Sequence, residues 1–140
     1  VVRKESVEVR LKELDEIIQE LFKYKDAKPD TLRQDLSQRW IIERGLIAGA
    51  SIIFDVTDHI LSEDFGCYAE SYEDSLRGLF EKGVISEDLY KQIKGLGGFR
   101  NILIHRYTRI DSDLVFENFH RSLKTFPRFA REVLIWMERA

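Results

Sequence analysis

Four residues in the stretch Phe99-Arg100-Asn101-Ile102-Leu103-Ile104-His105-Arg106-Tyr107 carry side chains suited to anion and proton chemistry: Arg100, Asn101, His105 and Tyr107. A guanidinium presents a planar fork matched to phosphate, and an imidazole exchanges a proton near neutral pH. From Lys91 to Arg109 there are five basic residues and no acidic one, whereas the whole chain carries a formal −3, so the remainder carries −8. A positive, histidine-bearing segment on an acidic body attracts an anion locally, and phosphate is the commonest biological choice. Histidine beside arginine, without metal ligands close by in the sequence, suits cleavage of an RNA strand by its own 2′-hydroxyl. The imidazole takes or gives the proton while the guanidinium stabilises charge growing on the phosphorus oxygens. The same residue types also build hydrogen-bonded networks on helix surfaces and at interfaces. Their spacing alone does not separate the two readings.

On a helix, at about 100° per residue, Leu96, Phe99, Ile102 and Leu103 gather on one side. Arg100, Asn101, His105 and Tyr107 share the other, with Ile104 among them. Asn101 lies four residues before His105, within reach for its amide to hold one ring nitrogen and fix the tautomer. Such a helix needs neighbours to cover its apolar side, and the rest of the chain offers them.

Apolar residues at Val7, Leu11, Leu14, Ile18 and Leu21 follow the 4-3-4-3 spacing of an amphipathic helix, which Lys28-Pro29-Asp30 ends. A second, longer helix is predicted from about Thr31 to Leu61 with two adjacent apolar lines. One runs Leu36, Trp40, Glu43, Ile47, Ala50, Phe54, Leu61 and the other Ile42, Leu46, Gly49, Ile53, Val56, Ile60. Two lines imply partners on two sides, as in a central bundle helix or one that also forms a dimer seam. Glu43 interrupts the first line and needs a partner if buried. Arg39 or Arg44 nearby would serve, and so would Arg100 from another helix; Glu43 and Arg44 are therefore second-line site candidates. A loop follows from Ser62 to Ser71, then a short helix to Lys82 stopped by Gly83, with Tyr72, Leu76, Leu79 and Phe80 inward. Ser86 caps a helix running into the opening stretch. Gly95, Gly97 and Gly98 weaken that helix by roughly 0.8–1.0 kcal/mol each against alanine, and close approach of another backbone or a ligand is the usual compensation. Asp111 or Ser112 caps the last helix, where Phe116, Phe119, Leu123, Phe126, Ala130, Val133 and Met137 form the inward line and Pro127 predicts a kink. No segment alternates with period two. The fold class expected is all-α: an up-and-down bundle of four long helices plus one short helix, in a single domain spanning 1–140.

Composition excludes several classes. Cys67 is the only cysteine, which leaves no disulfide framework or cysteine-rich zinc site. The longest apolar run, roughly 46–54, falls short of the ~20 residues of a membrane span, and no signal-peptide pattern is read. A cytoplasmic location is expected. An acidic balance argues against coating nucleic acid with the whole surface; no DNA partner and no membrane are expected. Asp55 and His59 have a helical metal-ligand spacing without a third ligand placed nearby, so a structural pair is expected and no metal. His120 reads as a helix residue beside core phenylalanines. No cofactor is implied.

Arg100-Asn101-Ile102-Leu103-Ile104-His105-Arg106-Tyr107 fits the Arg, four residues, His, one residue, Tyr pattern of HEPN domains and resembles the HepT-like toxins paired with minimal nucleotidyltransferases. Trp40-Ile41-Ile42-Glu43-Arg44 followed by small residues to Asp55 and His59 resembles the family's second helix, and Tyr72 to Ile85 its short helix and glycine turn. The likeness covers roughly residues 36–115. It implies a homodimer with a composite cleft where two motif helices meet, and metal-independent endoribonuclease activity carried by Arg100 and His105 with Asn101 in support. It further implies silencing by a partner minimal nucleotidyltransferase antitoxin that adenylylates Tyr107, placing phosphates beside Arg100. Two alternatives stand beside this reading. One is a non-catalytic HEPN module that docks a nucleotidyltransferase or binds nucleotide; the other is a plain dimeric scaffold whose motif is an interface network.

Overall fold

The computed structural model describes residues 4–106 and 110–139, and among them every regular element is helical. In chain order these are α1 (Lys4–Phe22), α2 (Pro29–Gln34), α3 (Leu36–Phe65), α4 (Tyr72–Glu81), α5 (Glu87–Ile93), α6 (Leu96–His105) and α7 (Ser112–Arg139). The all-α class holds, with a finer division than periodicity suggested. Three long helices carry the core, and shorter ones close it.

α1 buries the stripe Val7, Leu11, Leu14, Ile18 and Leu21 against α3 and α7. Pro29 occupies the first turn of the six-residue α2, where its missing N–H costs nothing. Asp35 then takes an extended conformation and its carboxylate accepts the Gln38 N–H at 3.0 Å. The long helix therefore starts at Leu36, and the segment from Thr31 belongs to a separate element.

α3 is the hub, packed by α1, α2, α4, α6 and α7. Ile42, Leu46, Gly49, Ile53, Val56 and Ile60 are all buried, as one apolar line predicts. The other line is buried only in its C-terminal half, at Ala50, Phe54 and Leu61, while Leu36 and Trp40 are 46% and 60% exposed. By length and composition α3 could cross a membrane; here more than half of its most apolar stretch is buried within the bundle. Gly49 admits α7: a Cβ there would lie 2.4 Å from Phe126 Cε2. Phe119, Phe126 and Phe129 of α7 are fully enclosed, each worth roughly 1.5–3 kcal/mol by burial. α7 runs through Pro127 as one continuous helix, and Asp111 caps it by accepting the Asp113 N–H at 2.9 Å.

Between these long helices the chain is punctuated by caps. Gly66 (φ 60°) ends α3 in the left-handed region, so the loop begins at residue 66 rather than 62. Ser71 caps α4 by accepting the Asp74 N–H at 3.1 Å. Gly83 (φ 77°) follows its end, with the Val84 N–H returning to the Leu79 carbonyl at 2.9 Å. Ser86 caps α5 by accepting the Leu89 N–H at 3.2 Å, and Glu132 of α7 accepts the Ser86 N–H at 2.6 Å. The single helix predicted from Ser86 through the motif is broken at Lys94-Gly95, where the weak helix former Gly95 separates α5 from α6.

Candidate active site

α6 is seated on α3 and α4. Leu96, Gly97, Phe99 and Leu103 are buried, so the projected apolar side is the packed one, with Ile102 only partly covered. Gly97 is the point of closest approach: a Cβ there would meet Tyr72 Cβ at 2.5 Å and the Tyr72 ring at 3.1 Å. Any larger residue would push α6 away from α4. Gly95 and Gly98, by contrast, face open space.

This approach places Arg100 over a small polar corner. Its Nε donates to Ser51 Oγ at 2.9 Å, and its Nη1 donates to Tyr72 Oη at 3.3 Å. The guanidinium carbon lies 5.6 Å from the centroid of the Tyr72 ring, within cation–π range. The ring itself packs on Phe54, centroids 4.3 Å apart. Ser51 donates its single hydroxyl hydrogen to the Ile47 carbonyl at 2.8 Å, so toward Arg100 the oxygen acts as an acceptor. Among the described residues two of the five guanidinium N–H groups are thus engaged, and three have no partner.

His105 is the last residue of α6 and is exposed, as is Asn101. Among the described residues no hydrogen bond joins the Asn101 amide to the His105 ring. Five helical positions separate Arg100 from His105 by about 140° and about 7.5 Å. Arg100 points into the α3–α4 corner while His105 stands exposed at the helix end, and among the described residues no hydrogen bond joins the two side chains. Arg106 is already extended, and Tyr107 and Arg109 lie outside the described residues; the helical projection stops at His105.

The basic character of the segment is partly internal. Lys91 is paired with Glu87 at 2.9 Å, whereas Lys94 and Arg106 are exposed. Glu43 sits 3.2 Å from Arg39 Nε, an ion pair without the alignment of a hydrogen bond. Burial raises the Glu43 pKa, with Arg39 pulling it the other way. Of the partners open to Glu43, the local one is realised, and Arg100 goes to Ser51 and Tyr72. Arg44 is exposed on the rim of an apolar groove of about 440 Å³ between α1 and α3, with Trp40, Ile41, Ile17 and Leu21 among its walls.

Among the described residues no group of three His, Cys, Asp or Glu side chains is placed to hold a metal ion. Among the described residues His59 Nε2 is buried without a hydrogen-bond partner, and so is Nε2 of His120, whose ring lies 4.4 Å from that of Phe116. Asp58 has its pKa raised, by burial first and by Asp55 second. Cys67 donates its thiol hydrogen to the Phe65 carbonyl at 3.4 Å.

Sequence reasoning missed Ser51 and Tyr72 as site elements. Tyr72 read as a core aromatic and Ser51 as one of a run of small residues. The available signal was the glycine cluster beside the motif, which pointed to a close approach without saying to what.

An all-α bundle with arginine and histidine five positions apart on one exposed-ended helix defines a class. A family model described as Ribonuclease HepT-like matches residues 14–133, and the chain belongs to this HepT-like ribonuclease family. It is 28% identical over 127 residues to the tRNA nuclease HepT of Aphanizomenon flos-aquae (strain 2012/KM1/D3), covering 91% of this chain and 86% of the relative. A putative RNase of Archaeoglobus fulgidus is 32% identical over 74 residues, 53% of this chain and 56% of that protein. In fold, the chain is similar to the tri-AMPylated Shewanella oneidensis HEPN toxin solved with its MNT antitoxin. That match has a TM-score of 0.83 at 19% identity, covering 95% of this chain and 99% of the other. It is also similar to YutE, a cytosolic protein of unknown function from Bacillus subtilis, with a TM-score of 0.79 at 17% identity over 99% of this chain and 92% of the other.

Proposed function

We propose that this chain is the toxin of a toxin–antitoxin pair and cleaves RNA through Arg100 and His105, with Asn101 assisting, in a reaction that uses no metal ion. The observation that carries this reading is the Arg100 guanidinium. It is held at Nε by Ser51 and at Nη1 by Tyr72, has three further N–H groups without a partner among the described residues, and stands on the same helix as an exposed imidazole. The 2′-hydroxyl attacks the adjacent phosphorus as His105 takes its proton, and Arg100 stabilises the charged phosphate oxygens; the bond to the 5′-oxygen breaks, leaving a 2′,3′-cyclic phosphate, and the 5′-oxygen takes a proton from solvent. Transfer RNA is the first substrate to test, since a relative matched over most of its length is a tRNA nuclease.

The separation of Arg100 and His105 in one chain supports a homodimer, in which residues of two motif helices complete each cleft. Leu36, Trp40 and Ile41, exposed on α3, offer apolar surface for such a seam. The partner we assign is a minimal nucleotidyltransferase antitoxin that adenylylates Tyr107, by analogy with the AMPylated HEPN toxin of similar fold. A cytoplasmic setting fits this role. The test is incubation of tRNA with the purified chain and with His105→Ala. Cleavage by the first and none by the second supports the reading; equal cleavage by both refutes it. The exposed His105, with no hydrogen bond to orient it among the described residues, favours a second reading in which the domain docks a nucleotidyltransferase without cutting RNA. There, co-expression adds adenylate mass to Tyr107 while no variant changes RNA integrity.

A further inference from the structure

We propose that Ser51 and Tyr72 are positioning residues for the reaction, holding the Arg100 guanidinium by its Nε and one Nη1 N–H so that its remaining edge faces the scissile phosphate. This rests on the ribonuclease reading above and adds two residues to its machinery.

Three observations converge on it. Arginine is a long side chain whose rotamer freedom must be restricted if its fork is to meet a phosphate at a fixed angle. Here the restriction is built from two helices other than its own. From α3, Ser51 accepts from Nε at 2.9 Å while its own hydrogen is committed to the Ile47 carbonyl at 2.8 Å, so its acceptor direction is fixed by the backbone. From α4, Tyr72 accepts from Nη1 at 3.3 Å and offers its ring at 5.6 Å from the guanidinium carbon.

The position of Tyr72 is fixed in turn. Phe54 packs on its ring, and Gly97, three residues before Arg100, lets α6 settle against its Cβ. The arginine and the tyrosine that holds it are therefore locked by the same helix contact. Neither Ser51 nor Tyr72 is a carboxylate. An acidic partner would hold Arg100 more strongly and would also cancel the charge that the phosphate must feel; two neutral oxygens orient the guanidinium and leave its full positive charge available. With Nε and one Nη1 N–H engaged, the donors without a partner among the described residues are both Nη2 hydrogens and the second on Nη1. Those on Nη1 and Nη2 lie along the outer edge, which matches two oxygens of one phosphate.

The test compares tRNA cleavage by the full-length wild type, Ser51→Ala, Ser51→Thr and Tyr72→Phe. Each change is repeated in an Arg100→Lys background, which keeps the charge and loses the fork. Ser51→Ala and Tyr72→Phe are expected to lower kcat about ten-fold, the usual effect of a hydrogen bond to a charged group, with KM within about two-fold. Ser51→Thr, which keeps the hydroxyl, restores the rate. In the Arg100→Lys background both substitutions have little further effect. In parallel, the Arg100 Nε–H resonance in 15N spectra exchanges slowly in the wild type and fast in Ser51→Ala. Tyr72→Phe keeps the ring that packs on Phe54 and Gly97, so an unchanged melting temperature separates misplacement from misfolding. Wild-type kcat in Ser51→Ala and Tyr72→Phe would overturn this inference while leaving the ribonuclease reading intact. Equal losses with and without Arg100 would do the same, by showing that the two residues act independently of it. No cleavage of RNA by the wild type overturns both.

Discussion

At the start of α6, Gly97 lies against Tyr72 and Arg100 is tied to two neighbouring helices; at its end, His105 closes the helix in solvent with no hydrogen bond to orient it among the described residues. One helix thus carries a pre-placed cation and an imidazole whose placement must come from elsewhere. In the mechanism we propose, the difference separates the reaction's two demands. Charge stabilisation depends on geometry fixed before substrate arrives, and the chain provides it alone. Proton transfer also needs a fixed geometry, which in that mechanism His105 would gain from substrate or from a second copy.

The largest effects should come from removing either member. His105→Ala is expected to lower RNA cleavage about 10²–10⁴-fold with an unchanged melting temperature, because an exposed side chain holds nothing in the fold. Arg100→Ala should cost about 10²–10³-fold, and if its loss were small the pre-placed half of the comparison would be wrong. Next comes the contact that seats the held end. Gly97→Ala must displace either Tyr72 or α6, and is expected to destabilise by about 1–3 kcal/mol with loss of activity. Gly98→Ala, one residue on and facing open space, should instead stabilise by about 0.5–1 kcal/mol. Chemical denaturation of both variants checks the pair, and the same sign in both would show that the tight approach at Gly97 is not what matters.

The smallest effect lies away from the site. The Glu43 pKa is raised chiefly by burial, so the folded state binds its proton more readily than the unfolded one. Wild-type stability should therefore fall as pH rises from the ordinary glutamate value through the raised folded value, and recover as pH is lowered again. Glu43→Gln removes this component, and unfolding curves across that interval should show a flatter pH dependence. Activity should follow Arg100 and be little changed. An activity loss rivalling that of Arg100→Ala would tie Glu43 to the cleft after all.

Much of the fold was legible in the residue order. The stripe of α1, the Ser86 cap, the stop at Gly83 and the inward line Ile42 to Ile60 followed from helical periodicity and local capping chemistry, which act over a few residues. Boundaries set by competition between neighbouring signals were harder. Asp35 outcompeted Thr31 as the start of the long helix, and Gly95 divided what one apolar rhythm had joined. In the second apolar line of α3, Trp40 matched the spacing of the buried residues yet lies exposed, because periodicity marks a face without saying whether a partner covers it.

The candidate site divides in the same way. The motif itself, with Arg100, Asn101, His105 and Tyr107 as its members, was visible from residue types and spacing, since the chemistry of a side chain is written in the sequence. Which groups hold Arg100 was not. Ser51 and Tyr72 stand 49 and 28 residues away in the chain, and neither has a type that advertises the role. Glu43, whose charge did advertise it, is ion-paired with Arg39 one turn away. By itself the sequence determined an all-helical chain with a basic, histidine-bearing segment of the HepT-like kind. Only the packing of α6 on α3 and α4 decided that Arg100 is oriented by two neutral hydroxyls, because that choice depends on how closely Gly97 lets two helices approach.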